Sequence, residues 1–457
     1  MTKIILKKGR DESLKRFHPW VFSGAIQTIE GNPAEGDIVT VYSNKGQFLA
    51  CGHYQIGTIA VRVLSFESPA LLPDFWEQSL RKSLSAREAF GLCNNEQTNC
   101  YRLVHGEGDS LPGLIIDYYA GTAVMQAHSA GMFLSRTKIT SALQSVYGRD
   151  LVAVYDKSSG TAPFKAGLEL NDGYLYKACD LSDADPAAEY GHSVGRTLDF
   201  AGTGSLPEAG QPGLPEAGQP GLPEAGQPGC EKSRCKESGH KVTERGETVV
   251  LEHGHKFYVN WVDGQKTGFF LDQRENRSLV EKYAAGRKVL NLFCYTGGFS
   301  VYALAGGALH VDSVDSSNKA IETVNRNIEL NGFTNHTSYC EDAIDFVKRS
   351  ESGKYDLMIV DPPAFAKHRG ALGNALRGYQ RLNAAAIEKI APDGIIFTFS
   401  CSQVVDKNAF ALAVFSAAAE TGRKVRIIDR LNQPADHPVN IYHPEGEYLK
   451  GLVLYVE

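Results

Sequence analysis

From residue 285 onward, short apolar runs alternate with helical stretches, and this alternation constrains the fold more than any other feature. Val289, Leu290, Leu292 and Phe293 predict a buried strand, followed by the turn Cys294-Tyr295-Thr296-Gly297-Gly298. An apolar helical stretch from Phe299 to Ala305 breaks at Gly306-Gly307, and a second strand, Val311 to Val314, ends at Asp315. Asn318 to Asn331 reads as a helix stopped by Gly332, and Tyr339-Cys340-Glu341-Asp342-Ala343 closes a third strand. Tyr355 to Val360 runs into Asp361-Pro362-Pro363-Ala364-Phe365, and Gly394 to Phe399 runs into Ser400-Cys401-Ser402. Strands alternating with helices specify a parallel sheet covered on both faces. Tyr448 to Val456, with Lys424 to Asp429, supplies an antiparallel edge.

Open sheets of this kind bind ligands outside the carboxyl ends of their strands. The glycine-rich turn, Asp315, Asp361 and Cys401 therefore face one crevice. Glycines let backbone approach a ligand, and an acid at the second strand's tip accepts two ribose hydroxyls. The turn lacks the G-x-G-x-x-G spacing of dinucleotide sites. Gly264-Gln265-Lys266-Thr267 lacks the preceding glycine of a phosphate loop, so an NTPase is disfavoured.

With these strand ends in place, the sequence resembles the S-adenosylmethionine-dependent RNA methyltransferases, and most of all the 23S ribosomal RNA large-subunit methyltransferase I family, which makes 5-methylcytosine. The likeness spans nearly the whole chain except an insert near residues 204–242. It implies an α/β architecture with a class I, Rossmann-like methyltransferase domain over residues 263–457. It also implies an N-terminal PUA-like β-barrel over 1–70 and a small middle α/β domain over 71–200 and 246–262. Cofactor contacts implied by the likeness are Phe293, Tyr295, Thr296, Gly297 and Gly298 at the methionine part, Asp315 at the ribose, and Asp342 with the Ala343 amide at the adenine. Gln273 and Arg274, in Phe269-Phe270-Leu271-Asp272-Gln273-Arg274, are expected at the methionine end. Pro362, Pro363, Phe365 and His437 are expected around the target base. Ribosomal RNA is the implied partner and the cytoplasm the implied location; no metal is implied. A homodimer is compatible with the sequence, which does not fix the oligomeric state.

The expected chemistry follows from the base. Carbon 5 of cytosine is a poor nucleophile until a thiolate adds to carbon 6. Cys401 fits that role, Asp361 would hydrogen-bond the base edge near nitrogen 3, and a partly ionised thiol in a polar or positive setting is expected. A small buried packing residue is the other reading of Cys401. Cys294 and Cys340 are expected to pack. Some RNA cytosine methyltransferases carry a second cysteine after Asp-Pro-Pro, where this chain has Ala364. Two further readings stay open: methylation of a base nitrogen, and a non-catalytic RNA-binding protein with a cofactor pocket.

Elsewhere, short runs separated by turns such as Asn44-Lys45-Gly46 suggest a small barrel before residue 70. His18 to Ile26 is similar to the entry motif of PUA domains, and Lys7, Lys8, Arg10, Lys15 and Arg16 lie just ahead of or within its approach. A net charge of −6 over 457 residues gives no global nucleic-acid signature, so RNA must meet a local patch. The nine cysteines form no C-x-x-C pair, which favours reduced thiols in a cytosol. No membrane partner is expected, because no run of about 18 apolar residues occurs. His105, Glu107 and Asp109 read as turn chemistry rather than a metal cluster. Residues 201–245 are expected to be a disordered insert built on LPEAGQPG, repeated three times over 206–229. Cys230, Cys235 and His240 make an incomplete zinc set.

Overall fold

A computed structural model of the chain describes residues 2–163, 167–178, 246–366 and 368–457. These belong to one compact unit. The octad repeats and Cys230, Cys235 and His240 lie outside the described residues.

The first region holds β1 (Thr2–Leu6), α1 (Glu12–Lys15), β2 (Trp20–Phe22), β3 (Ile26–Glu30), β4 (Ile38–Tyr42), β5 (Phe48–Tyr54) and β6 (Ile59–Ser65). Its six-stranded sheet has the order β2-β6-β5-β4-β1-β3. The edge strands β2 and β3 are joined only by the turn Ser23–Ala25, so the sheet must curl until its edges meet. Ile4, Leu6, Val39, Val41, Val61 and Val63 fill the interior.

The second region contains α2 (Phe75–Ala89), β7 (Cys100–His105), β8 (Leu114–Tyr119), β9 (Thr122–Ala127), α3 (Ala130–Leu134), α4 (Arg136–Tyr147), β10 (Ala153–Asp156) and β11 (Gly173–Lys177). Its sheet runs β11-β10-β9-β8-β7, and Leu80, Leu103, Ile116, Met125, Ile139 and Leu143 join sheet and helices in one core. Here α3 reaches the barrel: a Cβ at Gly131 would lie 2.1 Å from the His53 ring, so only glycine allows this approach. Strands β12 (Glu247–Glu252) and β13 (His255–Asn260) form a hairpin that pairs only with itself among the described residues. The outer edge of β13 is closed by side chains, since Asn327 and Asn331 accept the Tyr258 and Lys256 amides. On the other side, Asn99 accepts the Leu251 amide.

The third region follows the expected alternation: α5 (Arg274–Tyr283), β14 (Lys288–Leu292), α6 (Gly298–Ala305), β15 (His310–Asp315), α7 (Asn318–Leu330), β16 (His336–Cys340), α8 (Ala343–Arg349), β17 (Leu357–Val360), α9 (Leu372–Lys389), β18 (Gly394–Ser400), α10 (Lys407–Thr421), β19 (Val425–Asn432) and β20 (Lys450–Val456). The seven strands are ordered β16-β15-β14-β17-β18-β20-β19. Those up to β18 are parallel, and β20 runs antiparallel to both β18 and β19. Helices α5, α6 and α7 contribute Val280, Val301 and Val324 to one face of the sheet. Phe346, Leu382 and Phe410 of α8, α9 and α10 cover the other. Strands buried on both faces explain why β17 and β18 read as unbroken apolar runs rather than alternating ones. No helix among the described residues is long and apolar enough to cross a membrane.

Candidate active site

The turn after β14 is strained in a regular way. Phe293 (φ 58°), Tyr295 (φ 47°) and Gly297 (φ 80°) all occupy the left-handed region, alternating along the turn. Left-handed backbone at non-glycine residues costs about 1–2 kcal/mol each and collects at functional sites. Hydrogen bonds hold it: the Cys294 amide donates to the Val314 carbonyl (3.0 Å), and Asn327 Nδ2 donates to the Thr296 carbonyl (2.8 Å). Asp315, at the tip of β15, accepts the Tyr295 amide on Oδ2 (3.0 Å) and the Ser317 amide on Oδ1 (2.9 Å). These two bonds aim the carboxylate and leave each oxygen a second lone pair for a ligand. Asp342 is two residues beyond Cys340, the register partner of Asp315, and its Oδ1 caps α8 through the Ile344 and Asp345 amides. Ala343 opens that helix. The structure thus brings Phe293, Tyr295, Thr296, Gly297, Gly298, Asp315, Asp342 and Ala343 to one end of the sheet.

Strands β17 and β18 are parallel neighbours, with Val360 opposite Thr398, so Asp361 and Cys401 leave adjacent tips of the sheet. Gln273 Nε2 donates to Asp361 Oδ2 (3.0 Å), while Gln273 Oε1 accepts from Asn276 (2.6 Å). Burial, then the nearby Asp272 carboxylate, push Asp361 up to about 7, with Gln273 and Arg277 opposing. Asp272 accepts the Tyr448 hydroxyl on Oδ2 (2.7 Å), and its buried Oδ1 has no protein partner. The Cys401 thiol is pushed up to about 11 by burial first and then by Asp361 and Asp272; Lys266 opposes the shift. This corrects the expectation of a partly ionised thiol: the setting is polar, as expected, but its charges are carboxylates, which together with burial disfavour the thiolate.

The loops carrying these two groups are tied together. Ser402 Oγ donates to the Ala366 carbonyl (2.7 Å), and the buried Lys450 Nζ donates to the Ser402 and Val405 carbonyls (2.6 and 2.5 Å). Pro362 is buried and Pro363 exposed, and the Phe365 ring packs 4.7 Å from Tyr379.

Other residues sit differently from expectation. Arg274 is fully buried: Nη1 donates to Asp436 (3.0 Å) and Nη2 to the Cys100 carbonyl (2.9 Å), so it braces the domains and does not face a cofactor. Gln273 is buried and holds Asp361. His437 is also buried, its Nδ1 3.0 Å from Asp436 Oδ1, and does not line a base pocket. Cys294 packs as expected, whereas Cys340 is exposed at the end of β16, the sheet's edge strand. Asp109 is engaged by Arg87, and Glu107 by Trp20 and Arg62, which accounts for both as structural. Sequence reasoning missed Asp272, Lys450 and the buried Glu252–Arg274–Asp436 set. An acid directly after the apolar run Phe269-Phe270-Leu271 was the one available signal.

Comparison with known proteins agrees with this fold. A family profile described as S-adenosylmethionine-dependent methyltransferase matches residues 232–452, and one described as a PUA-like domain matches 4–66. The chain is similar to the ribosomal RNA large subunit methyltransferase I of Aeromonas hydrophila, at 35% identity over 99% of both chains. It is similar to the protein of the same name from Pseudoalteromonas translucida at 34%, covering 100% of this chain and 99% of the relative. Among solved structures, a candidate SAM-dependent methyltransferase from Streptococcus mutans shares the fold, with a TM-score of 0.72, 21% identity and 100% of both chains covered. So does a candidate methyltransferase complexed with SAH, with a TM-score of 0.73, 22% identity and 100% of both chains covered. With strand order and full-length likeness in agreement, the chain belongs to the ribosomal RNA large subunit methyltransferase I family, a family dependent on S-adenosylmethionine.

Proposed function

We propose that this protein methylates carbon 5 of a cytosine in large-subunit ribosomal RNA through a transient Cys401 adduct. The observation that carries the reading is the pair of adjacent strand tips, one ending in a thiol and the other in a carboxyl poised at about 7. The residues present fit the cofactor. Asp272, with its unpartnered buried oxygen, and Asp315 and Asp342 make an anionic crevice suited to a ligand bearing a sulfonium and an ammonium. When bound, S-adenosylmethionine supplies a methyl group made electrophilic by the sulfonium. Asp315 would hold the ribose, Asp342 and Ala343 the adenine.

The chain's own residues then handle protons and the covalent bond. As Cys401 sulfur adds to carbon 6, its proton passes to the Asp361 carboxylate, which delivers it to nitrogen 3. This leaves carbon 5 as the electron-rich end of an enamine, ready for methylation. Asp361 then takes back the nitrogen 3 proton. A base removes the carbon 5 proton as the carbon–sulfur bond breaks, which restores the ring and the thiolate. Gln273 fixes the orientation of Asp361 throughout. On the barrel, Lys7, Lys8, Arg10, Lys15 and Arg16 are all exposed and offer a local basic patch for RNA phosphates.

The test is a large-subunit RNA carrying 5-fluorocytidine at the target position. Fluorine cannot leave as a proton, so wild type should form a denaturant-resistant protein–RNA adduct. Cys401→Ala should form neither adduct nor methylated product, while Cys340→Ala should form both. Full methylation by Cys401→Ala would overturn the covalent route and favour a base nitrogen as acceptor.

A further inference from the structure

A second cluster joins the barrel to the methyltransferase domain. His18 lies just before β2, and His443 and Glu445 lie in the loop before β20, where Pro444–Gly446 forms a single 3-10 turn. His443 is only 3% exposed, and neither of its ring nitrogens, Nδ1 nor Nε2, has a hydrogen-bond partner. It is packed among aromatic rings, 4.3 Å from Trp20 and 5.5 Å from His18 between centroids. Leaving a buried polar group unsatisfied costs about 1–3 kcal/mol, and a phenyl ring would fill the same space without that cost. An imidazole in such a place has a lone pair free for a ligand.

The neighbours supply the remainder of a coordination set. One ligating atom from each of His18, His443 and Glu445 lies within 4.8 Å of the others, and His443 Nε2 is 3.9 Å from Glu445 Oε2. Two imidazoles and a carboxylate are a common protein donor set for zinc, with water completing the shell. His18 is already oriented: its Nδ1 accepts the Trp20 backbone amide (3.2 Å), which fixes the ring, and zinc at Nε2 would displace the proton of that nitrogen. Ligand atoms around a tetrahedral zinc lie about 3.3 Å apart, given bonds of roughly 2.0–2.1 Å. Glu445, whose side chain is 61% exposed, can swing to close the remaining gap.

We propose that His18, His443 and Glu445 bind one zinc ion that clips the barrel to the methyltransferase domain. None of the three takes part in the strand-tip chemistry, so the ion holds the two domains in register and does not activate the reaction. The three ligands come from opposite ends of the chain, so their spacing in the sequence does not reveal the set.

Calorimetry and thermal unfolding of the metal-stripped full chain with zinc chloride test this. One equivalent should bind with a dissociation constant on the order of micromolar or lower, and the melting temperature should rise, because a ligand that binds only the folded state stabilises it. His443→Phe, which fills the aromatic site, should fold but lose both effects, and Glu445→Gln should weaken binding at least tenfold. Cys230→Ser with Cys235→Ser should leave binding unchanged, and X-ray absorption at the zinc edge should show nitrogen and oxygen ligands without sulfur. Failure to take up zinc, uptake undiminished in a folded His443→Phe, or sulfur in the shell would overturn the proposal.

Discussion

Replacing Asp361 with Asn should move the reactivity of Cys401 and the activity of the enzyme in opposite directions. In the wild-type protein the Cys401 thiol sits at about 11, raised by burial and by the Asp361 and Asp272 carboxylates. At pH 7 about one such thiol in ten thousand is ionised, against about three in a hundred for an unperturbed cysteine near 8.5. Iodoacetamide attacks only the thiolate. Peptide-resolved mass spectrometry of the native protein should therefore show Cys401 modified about 300-fold more slowly than an unperturbed thiol. Its rate should climb about tenfold per pH unit up to about pH 10. Asp361→Asn removes the larger of the two carboxylate charges that raise the thiol, so alkylation should quicken. Methyl transfer by the same variant should fall by about 10²–10⁴, the usual contribution of a positioned acid–base group. In wild type, kcat/KM should rise as the carboxyl ionises near 7 and fall only toward 11, with the lower limb absent in Asp361→Asn. Alkylation with a neutral midpoint, slower alkylation in the variant, or undiminished turnover would refute the assignment.

Three further outcomes follow from the geometry. Asp315→Ala should weaken S-adenosylmethionine binding more than tenfold by calorimetry, and equal affinity would remove Asp315 from the ribose. Asp436→Asn should cost about 3–5 kcal/mol by denaturant titration, because it leaves Arg274 buried beside a neutral amide; a change below about 1 kcal/mol would show that Glu252 alone suffices. Burial alone would raise the Asp436 carboxyl, but Arg274 and His437 hold it well below its ordinary 3.8. Its contribution to stability is thus present above that value and lost only as the pH falls further below it. Neutralising Lys7, Lys8, Arg10, Lys15 and Arg16 should weaken RNA binding and flatten its salt dependence. Lys15, paired with Asp11 at 2.8 Å, should contribute least, and an unchanged salt slope would place the RNA on another face.

What the sequence determined by itself was the parallel sheet and the order of groups along its edge. Apolar runs that end on a glycine turn, an acid or a short polar stretch are local patterns, and β14, β15, β17 and β18 each appear where such a run predicts them. Asp315, Asp361 and Cys401 therefore reach the expected crevice by topology alone. What tertiary structure decided was the character of each group there. Whether a thiol is ionised depends on desolvation and on charges brought from elsewhere, and Asp272, more than a hundred positions before Cys401, raises it. Arg274 and His437 stand in motifs that suggest ligand contacts, yet Asp436 and Glu252 draw Arg274 into the junction and His437 is buried beside the same Asp436. The meeting of His18 with His443 depends equally on how the barrel seats against the C-terminal loop. Hydrophobic period is written along the chain, whereas burial and electrostatic partnership exist only once distant segments have packed.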